Sequence, residues 1–461
     1  MKRDSGTITA GVVIALSAAY AIVLPAITRL MGTAIMGSEY GDNSSVRLVL
    51  GVLSFSFLTL AVVVATVVVT NAYVLVTATR TREIALRRLL GSSVRNERQR
   101  IARDGLLTGI VGAAIGVIGG VAISAIVVAL NNGPDGALAG VHLREAFNPY
   151  TLVPVVALIV CARAAAWRGS QGVLDAHPIG ALGAATMREV GADEVGSMSV
   201  LSWFALSTGT GLLLLSLVLG LQTPYALLIG LLGGMVGTYG FITGATVILP
   251  WSFRIIDRLL PRRGYALHAS RNMLRYPVRT ARASLGVTMS VALLTMFVVA
   301  TSSFERAMYR EYEGVALGME LTRDVLVVAA ALISITAAIS VLGLATTVNL
   351  GTRLRAREIA LTRVLGMSSH AASRVVLHES ARLAVSATAV GFIIGGILGW
   401  IGVQAMLAST LDNPLVMPSM PLIYPPLLLL LTAAITIIAA VVPSRRTLRD
   451  SPMAAYANAN A

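Results

Sequence analysis

A ten-residue motif that occurs twice constrains this chain more than any other feature of its sequence. The first copy reads Arg-Glu-Ile-Ala-Leu-Arg-Arg-Leu-Leu-Gly over residues 82–91, and the second reads Arg-Glu-Ile-Ala-Leu-Thr-Arg-Val-Leu-Gly over residues 357–366. The copies lie 275 residues apart, and the same offset aligns Arg80 with Arg355, Asp104 with Glu379, Gly116 with Gly391 and Gly120 with Gly395. A match that holds one register over about forty positions indicates an internal duplication.

The composition places both copies in a membrane protein. Hydrophobic residues make up 56% of the 461 residues and charged residues 13%, whereas soluble globular proteins carry about 25% charged residues. Apolar runs close to the ~20 residues needed to cross a bilayer recur along the whole chain. We predict an all-α polytopic membrane protein with about ten transmembrane helices and no large extracytoplasmic domain.

The distribution of charge predicts the orientation. The formal net charge is +14, and basic residues gather on cytoplasmic loops under the positive-inside rule, so no nucleic-acid partner is needed to explain it. Placing both termini in the cytoplasm puts most of the 36 basic residues on that side. Lys2 and Arg3 precede the first apolar run without an obvious small-residue cleavage site, which predicts an uncleaved first span.

The chain divides into two similar units joined by an insert. Each unit has four predicted spans, with one copy of the motif on a stalk that follows its second span. The predicted segments are 1–167 (first unit, spans 1–4), 168–198 (cytoplasmic linker), 199–250 (insert, spans 5 and 6), 251–282 (cytoplasmic amphipathic segment), 283–443 (second unit, spans 7–10) and 444–461 (cytoplasmic tail). Within 251–282 we expect a basic amphipathic helix over 268–280 and a shorter one over 253–260, lying at the inner membrane surface.

Several kinds of chemistry are absent from the sequence. Lys2 is the only lysine, and a P-loop needs a lysine after its glycine-rich turn, so the chain has no ATP-binding loop of its own. No acidic or basic residue is predicted deep in a span, which argues against an ion-coupled carrier. Cys161 is the only cysteine, and the five histidines have no metal-ligand spacing. We predict no enzyme, no metal site and no cofactor bound by this chain.

The stalks are the candidate sites of attachment for a partner that supplies energy. On a helix, Ile84, Leu86 and Leu90 offer apolar contact, arginines and Glu83 offer charged contact, and Gly91 permits a sharp reversal of the chain. A single basic stalk near anionic lipid is usually just solvated, and that alternative is the simpler one for either copy alone. The repetition of the full motif favours docking of a cytoplasmic protein.

Glycines and two acidic residues form the remaining pattern. Glycines spaced four apart bring helix backbones close together in lipid, and they occur on spans 3 and 9 as Gly112, Gly116, Gly120, Gly391, Gly395 and Gly399. Static packing explains them as well as a sliding interface does. Asp104 and Glu379 lie at the inner starts of these spans, where the helix dipole favours an acid. A salt bridge to a stalk arginine is the alternative, which would make them stalk anchors.

Together these residues resemble the FtsX/MacB-like permeases of ABC transporters, the mechanotransmission class. The resemblance rests on both motif copies, on Asp104 or Glu379 followed by glycine-rich spans, and on the segment from Ala269 to Val287. It identifies the coupling residues as Arg82, Glu83, Ile84, Ala85, Leu86, Arg88, Leu90, Gly91, Arg357, Glu358, Ile359, Ala360, Leu361, Arg363, Leu365 and Gly366. Ten spans with two FtsX-like units in one chain resemble the permeases of bacitracin-type peptide resistance.

The resemblance implies a multi-pass protein of the bacterial plasma membrane with a separate cytoplasmic ABC ATPase, two copies per permease, carrying ATP and Mg. It implies efflux or extraction of an amphiphile, such as a drug, an antimicrobial peptide or a lipid, and a role in antimicrobial resistance. The predicted outer loops, 31–47 and 304–323, are short, so the substrate would be recognised by helices within membrane lipid. The alternative is a non-transporting lever that regulates an extracytoplasmic cell-wall hydrolase.

Overall fold

The computed structural model describes residues 5–36, 69, 73, 81–131, 152–170, 198–259, 264–275, 277–311, 366–409 and 415–434. Within these ranges the chain is helical and contains no strand. The helices are α1 (Ser5–Met36), α2 (Thr81–Leu89), α3 (Val94–Asn131), α4 (Val153–Gly169), α5 (Val200–Leu219), α6 (Ala226–Leu259), α7 (Tyr265–Arg275), α8 (Pro277–Glu311), α9 (Ser369–Leu407) and α10 (Tyr424–Ala434).

Five of the described helices are long and apolar enough to cross a membrane. They are α5, α6 and α9 in full, with Val94–Ile126 of α3 and Ser284–Ala307 of α8. The prediction of an all-α membrane protein is therefore confirmed in its coarse form. Predicted spans 2 and 8 fall almost wholly, and the second stalk up to residue 365 wholly, outside the described residues, so the count of ten spans and the duplication stay predictions.

In the first unit, α3 packs against both α1 and α4. The glycines of α3 face α1 in rising order along both helices, so the two helices run parallel. Gly105 and Gly109 face Ala166 and Ala162 of α4 in falling order, so α4 runs antiparallel. Small residues at these crossings let the backbones approach closely, as helix association in lipid requires.

In the second unit, α8 and α9 pack in the same way as α1 and α3. At the glycines where α3 crosses α1 and α9 crosses α8, an added Cβ would fall close to a backbone carbonyl oxygen of the neighbouring helix. The matching pairs are Gly116 with Ala15 and Gly391 with Thr288, then Gly120 with Ala19 and Gly395 with Ala292. The partner residues are 273 apart in both cases, so the two helix pairs share one register.

The insert is a tight antiparallel hairpin of α5 and α6. Gly209 of α5 meets Gly233 and Gly237 of α6 backbone to backbone, and Gly240 lies against the backbone of Leu206. Ser216 donates a 2.8 Å hydrogen bond to the carbonyl of Ala226 across the hairpin. The turn falls at residues 220–225.

The prediction of a separate short helix over 253–260 is wrong, because α6 continues without a break from Ala226 to Leu259. Pro250 lies inside this helix and removes one backbone donor. The chain stays helical because Leu249, Pro250 and Phe253 are buried, and Phe253 packs in a cluster with Met273 of α7 and Leu285 of α8. At about 1.5 Å per residue, α6 is roughly 50 Å long and so exceeds the ~30 Å hydrocarbon core of a bilayer.

The hairpin packs on the second unit, where α6 contacts α8 and α9. Near the end of α6, the carboxylate of Asp257 accepts a hydrogen bond from the guanidinium of Arg382 on α9, and both side chains are buried. At the other end of the hairpin, Gly220 lies against the backbone of Ala405. The residue of α3 equivalent to Arg382 is Leu107, which is 62% exposed, so the covered face of α9 has an open, apolar counterpart in the first unit.

Each glycine at a helix crossing can be compared with a nearby glycine that has open space around it, which gives a prediction with a matched control. We expect Gly395→Ala to lower the free energy of unfolding by about 1–3 kcal/mol, because its Cβ overlaps the carbonyl of Ala292. Gly396 has open space around it, so Gly396→Ala is expected to be neutral or slightly stabilising through helix propensity. Gly116→Ala and Gly119→Ala form the same pair in the first unit. Thermal unfolding in detergent measures all four, and equal effects within each pair would contradict the proposed packing.

Candidate functional site

The candidate site is the reversal between α2 and α3, called here the Gly91 turn (residues 86–97). The amide of Ser92 donates to the carbonyl of Arg87 at 3.0 Å, and the amide of Gly91 donates to that of Arg88 at 3.1 Å. This pair of bonds is a Schellman motif, which needs a left-handed residue after the helix. Gly91 fills that position with φ of +97°, so the sequence Leu-Leu-Gly stops the stalk helix at a defined residue.

The same turn starts α3 within two residues. The hydroxyl of Ser93 accepts a 3.2 Å hydrogen bond from the amide of Asn96, which makes Ser93 the N-cap. Glu97 follows in the first turn of the helix and is only 5% exposed. Ser92 donates to Oε1 of Glu97 at 2.8 Å, and Nη1 of Arg87 lies 3.7 Å from Oε2. Glu97 therefore ties the stalk end to the membrane helix that follows it.

Apolar contact fixes the angle between the two helices. Ile84 is 4% exposed and packs against Val94 and Ile101 of α3. The sequence assigned Ile84 to contact with a partner protein, but in the structure it holds the stalk against its own chain.

Three leucines at the end of α2 face outward instead. Leu86 and Leu89 are 45% and 43% exposed, and Leu90, beside the glycine, is 89% exposed. Arg87 and Arg88 lie half-buried between them. A soluble surface normally exposes such leucines singly, whereas here they cluster at the tip of a charged helix. The tip is an apolar contact surface bordered by cations.

A second set of contacts anchors α3 behind the turn. The guanidinium of Arg98 lies 4.1 Å from the ring centroid of Trp167 at the end of α4. It also donates to the carbonyl of Trp167 and to the hydroxyl of Ser170, both at 3.2 Å. These bonds join the starting turn of α3 to the end of α4.

The second copy of the motif ends in the same local structure. Gly366 has φ of +101°, and Ser368 is the N-cap of α9, accepting a hydrogen bond from the amide of Ala371. Both residues lie 275 positions after their counterparts in the Gly91 turn. Residues 357–365, which include the other predicted coupling residues of this copy, lie outside the described residues, as do the side chains of Arg82, Glu83 and Ala85.

The predicted stalk anchors differ in environment. Asp104 is half-buried on α3, and its carbonyl accepts a hydrogen bond from Thr108. Glu379 is 2% exposed on α9, one turn before Arg382. The acid that reaches the first stalk in the structure is Glu97, which the sequence analysis missed because its counterpart in the second copy is Ala372. Among the described residues, no group of three His, Cys, Asp or Glu side chains could hold a metal ion.

The fold and the turns define a class of protein: a multi-pass α-helical membrane protein in which the long helices α3 and α9 each begin three residues after a glycine of positive φ. The model of the family described as FtsX-like permease C-terminal matches residues 55–169 and 330–452, just over half of the chain. Each matched region contains one copy of the repeated motif. The chain therefore belongs to the FtsX-like permease family, whose members are membrane components of ABC systems. No curated protein matches the chain.

Proposed function

We propose that this chain is the transmembrane permease subunit of an ATP-driven ABC transporter that exports or extracts an amphiphilic or hydrophobic compound. The observation that carries the proposal is the Gly91 turn, where a rigidly capped helix end exposes Leu86, Leu89 and Leu90. A cytoplasmic ABC ATPase would bind this tip, and a second copy would bind the equivalent tip before Gly366. The ATPase pair would hold ATP and Mg, since this chain has no P-loop lysine.

Force would reach the membrane through the contacts behind each tip. Ile84 and Glu97 join the first stalk to α3, and Arg98 joins α3 to α4. Closure of the ATPase pair would then displace helices rather than bend a loop. The parallel seams of α1 with α3 and of α8 with α9 would carry the displacement to the opposite face of the membrane, with both termini in the cytoplasm.

The predicted substrate follows from the short outer loops of the sequence. Without a large outer domain, a drug, an antimicrobial peptide or a lipid would be taken from membrane lipid by the helices themselves. The short loops depart from the family pattern, in which a large extracytoplasmic domain usually lies at this place. The likeness to the single-chain permeases of bacitracin-type peptide resistance rests instead on ten predicted spans with two FtsX-like units in one chain, and it implies a bacterial plasma-membrane location.

The test is the ATPase rate of the purified permease–ATPase complex, measured while candidate amphiphiles are added. We expect a saturable increase in the rate with the transported class and none with soluble sugars or amino acids. If only an extracytoplasmic hydrolase raises the rate, the chain is a regulatory lever and the transport proposal is wrong. Leu90→Asp and Leu90→Glu test whether the increase depends on ATPase bound at the tip. A charge at this exposed position should release the ATPase while leaving the membrane helices folded.

A further inference from the structure

The end of α6 and the exposed face of α7 form a strongly basic surface, called here the α6–α7 corner (residues 251–259 and 264–275). From Trp251 to Arg282 the sequence has eight arginines and a single acid, Asp257. In the structure Asp257 is buried against Arg382. The acid of this segment is therefore turned into the protein and neutralised there, while Arg254, Arg258, Arg271 and Arg275 are exposed.

The corner also exposes an apolar stripe beside the arginines of α6. Trp251, Ile255 and Leu259 are 67%, 38% and 79% exposed, and their spacing of four places them on one side of the helix. Arg254 and Arg258 lie on the adjacent side. Tryptophan and aliphatic side chains next to arginine are typical of the level at which lipid headgroups meet the hydrocarbon core.

Helix α7 adds charge to this surface, and its apolar face is covered by the protein. Its apolar residues Ala266, Ala269 and Met273 are buried in the protein, and Met273 belongs to the cluster around Phe253. An amphipathic helix that lies in a bilayer would leave this face open to the acyl chains. Since the apolar face is covered, α7 presents His268 and Arg271 outward on a fixed support.

We propose that the α6–α7 corner binds anionic phospholipid headgroups of the leaflet next to the stalks. Clusters of four to eight basic residues directly beyond a transmembrane helix attract anionic lipid. The length of α6 carries its last turns out of the hydrocarbon core, to the depth at which headgroup phosphates lie. The arginines pair with the phosphate, and Trp251, Ile255 and Leu259 contact the upper part of the acyl chains.

The experiment uses Trp251 as its own reporter. The full chain is reconstituted into phosphatidylcholine vesicles that contain increasing amounts of a brominated lipid. This lipid is phosphatidylglycerol in one series and phosphatidylcholine in the other, and in both the bromines lie near the headgroup. The part of the tryptophan quenching that Trp251→Phe removes gives the lipid contact at the corner. We expect brominated phosphatidylglycerol to quench Trp251 as strongly as brominated phosphatidylcholine does at a mole fraction about tenfold or more lower. The reason is that each nearby arginine raises the affinity for an anionic headgroup about fivefold.

Matched variants separate a site from general attraction. Arg254→Gln/Arg258→Gln/Arg271→Gln is expected to remove the preference, and the corresponding lysine variant to retain most of it. Arg95→Gln/Arg100→Gln/Arg103→Gln removes the same charge from exposed positions of α3 and should leave the preference unchanged. An equal loss in the α3 variant, or displacement of the lipid by free inorganic phosphate, would overturn the proposal. The readout needs no ATPase, so it is independent of the proposed transport.

Discussion

Arg382→Met is expected to lower the free energy of unfolding by about 3–5 kcal/mol, the largest effect of any single substitution considered for this chain. The substitution removes the cation that neutralises the buried carboxylate of Asp257. A buried carboxylate is costly unless a cation and hydrogen bonds compensate for its lost hydration. The loss should also loosen the insert from the second unit, because this pair joins α6 to α9. Unfolding of the detergent-solubilised protein with increasing SDS measures the change.

Two further variants identify the cause. Arg374 lies on the same helix two turns earlier and is exposed, with its guanidinium 6.0 Å from the ring centroid of Tyr265, so Arg374→Met should change stability by about 1 kcal/mol or less. The double variant Asp257→Leu/Arg382→Met removes both charges and is expected to recover most of the loss, because apolar replacement of a buried pair is often neutral. A double variant as unstable as Arg382→Met alone would show that packing of the arginine, rather than charge, matters here.

Gly91→Val combined with Gly366→Val is expected to reduce substrate-stimulated ATPase activity of the complex by about tenfold or more, while the membrane helices stay folded. Both glycines have positive φ, which a β-branched residue adopts only at a cost of about 1–3 kcal/mol. No atom lies within 4 Å of an added Cβ at either position, so the effect comes from the backbone and not from a clash. The stalk ends would then leave the geometry in which we propose that the ATPase binds them.

Gly264 provides a matched control for this prediction. It also has positive φ and open space around it, but it lies in the connection between α6 and α7 and belongs to neither copy of the motif. Gly264→Val should show a similar small loss of stability with normal coupling. Gly91→Asn/Gly366→Asn should keep more activity than the valine variant, because asparagine tolerates left-handed backbone. Normal coupling in the double valine variant would disprove the role proposed for the turns.

The parts of the fold that could be predicted are those that both halves of the chain share. The positive-φ turns at Gly91 and Gly366 and the crossings at Gly116, Gly120, Gly391 and Gly395 follow from repeated glycines, because glycine has few uses other than sharp turns and close approach.

Comparison of the two copies could not find residues that differ between them. Glu97 and Arg382 each form a buried polar contact, yet their counterparts are Ala372 and Leu107. Asp257, the partner of Arg382, is distant in sequence and lies on another helix. Ser92 is close to Glu97 in sequence but lies in the turn before α3, so helical spacing does not indicate that pair either. The continuation of α6 past Pro250 depended in the same way on burial of Phe253 by α7 and α8, which only the folded chain supplies.

Among the residues that the structure describes, the insert packs on α8 and α9 of the second unit, and under the proposed mechanism this attachment has a mechanical consequence. If α9 moves as proposed, the ion pair between Arg382 and Asp257 would make the α5–α6 hairpin move with it through the surrounding lipid. In the first unit Leu107 occupies the equivalent place and carries no such load. Equal displacements of the two stalks would therefore meet unequal resistance. The helices of the first unit would move earlier and farther than those of the second unit.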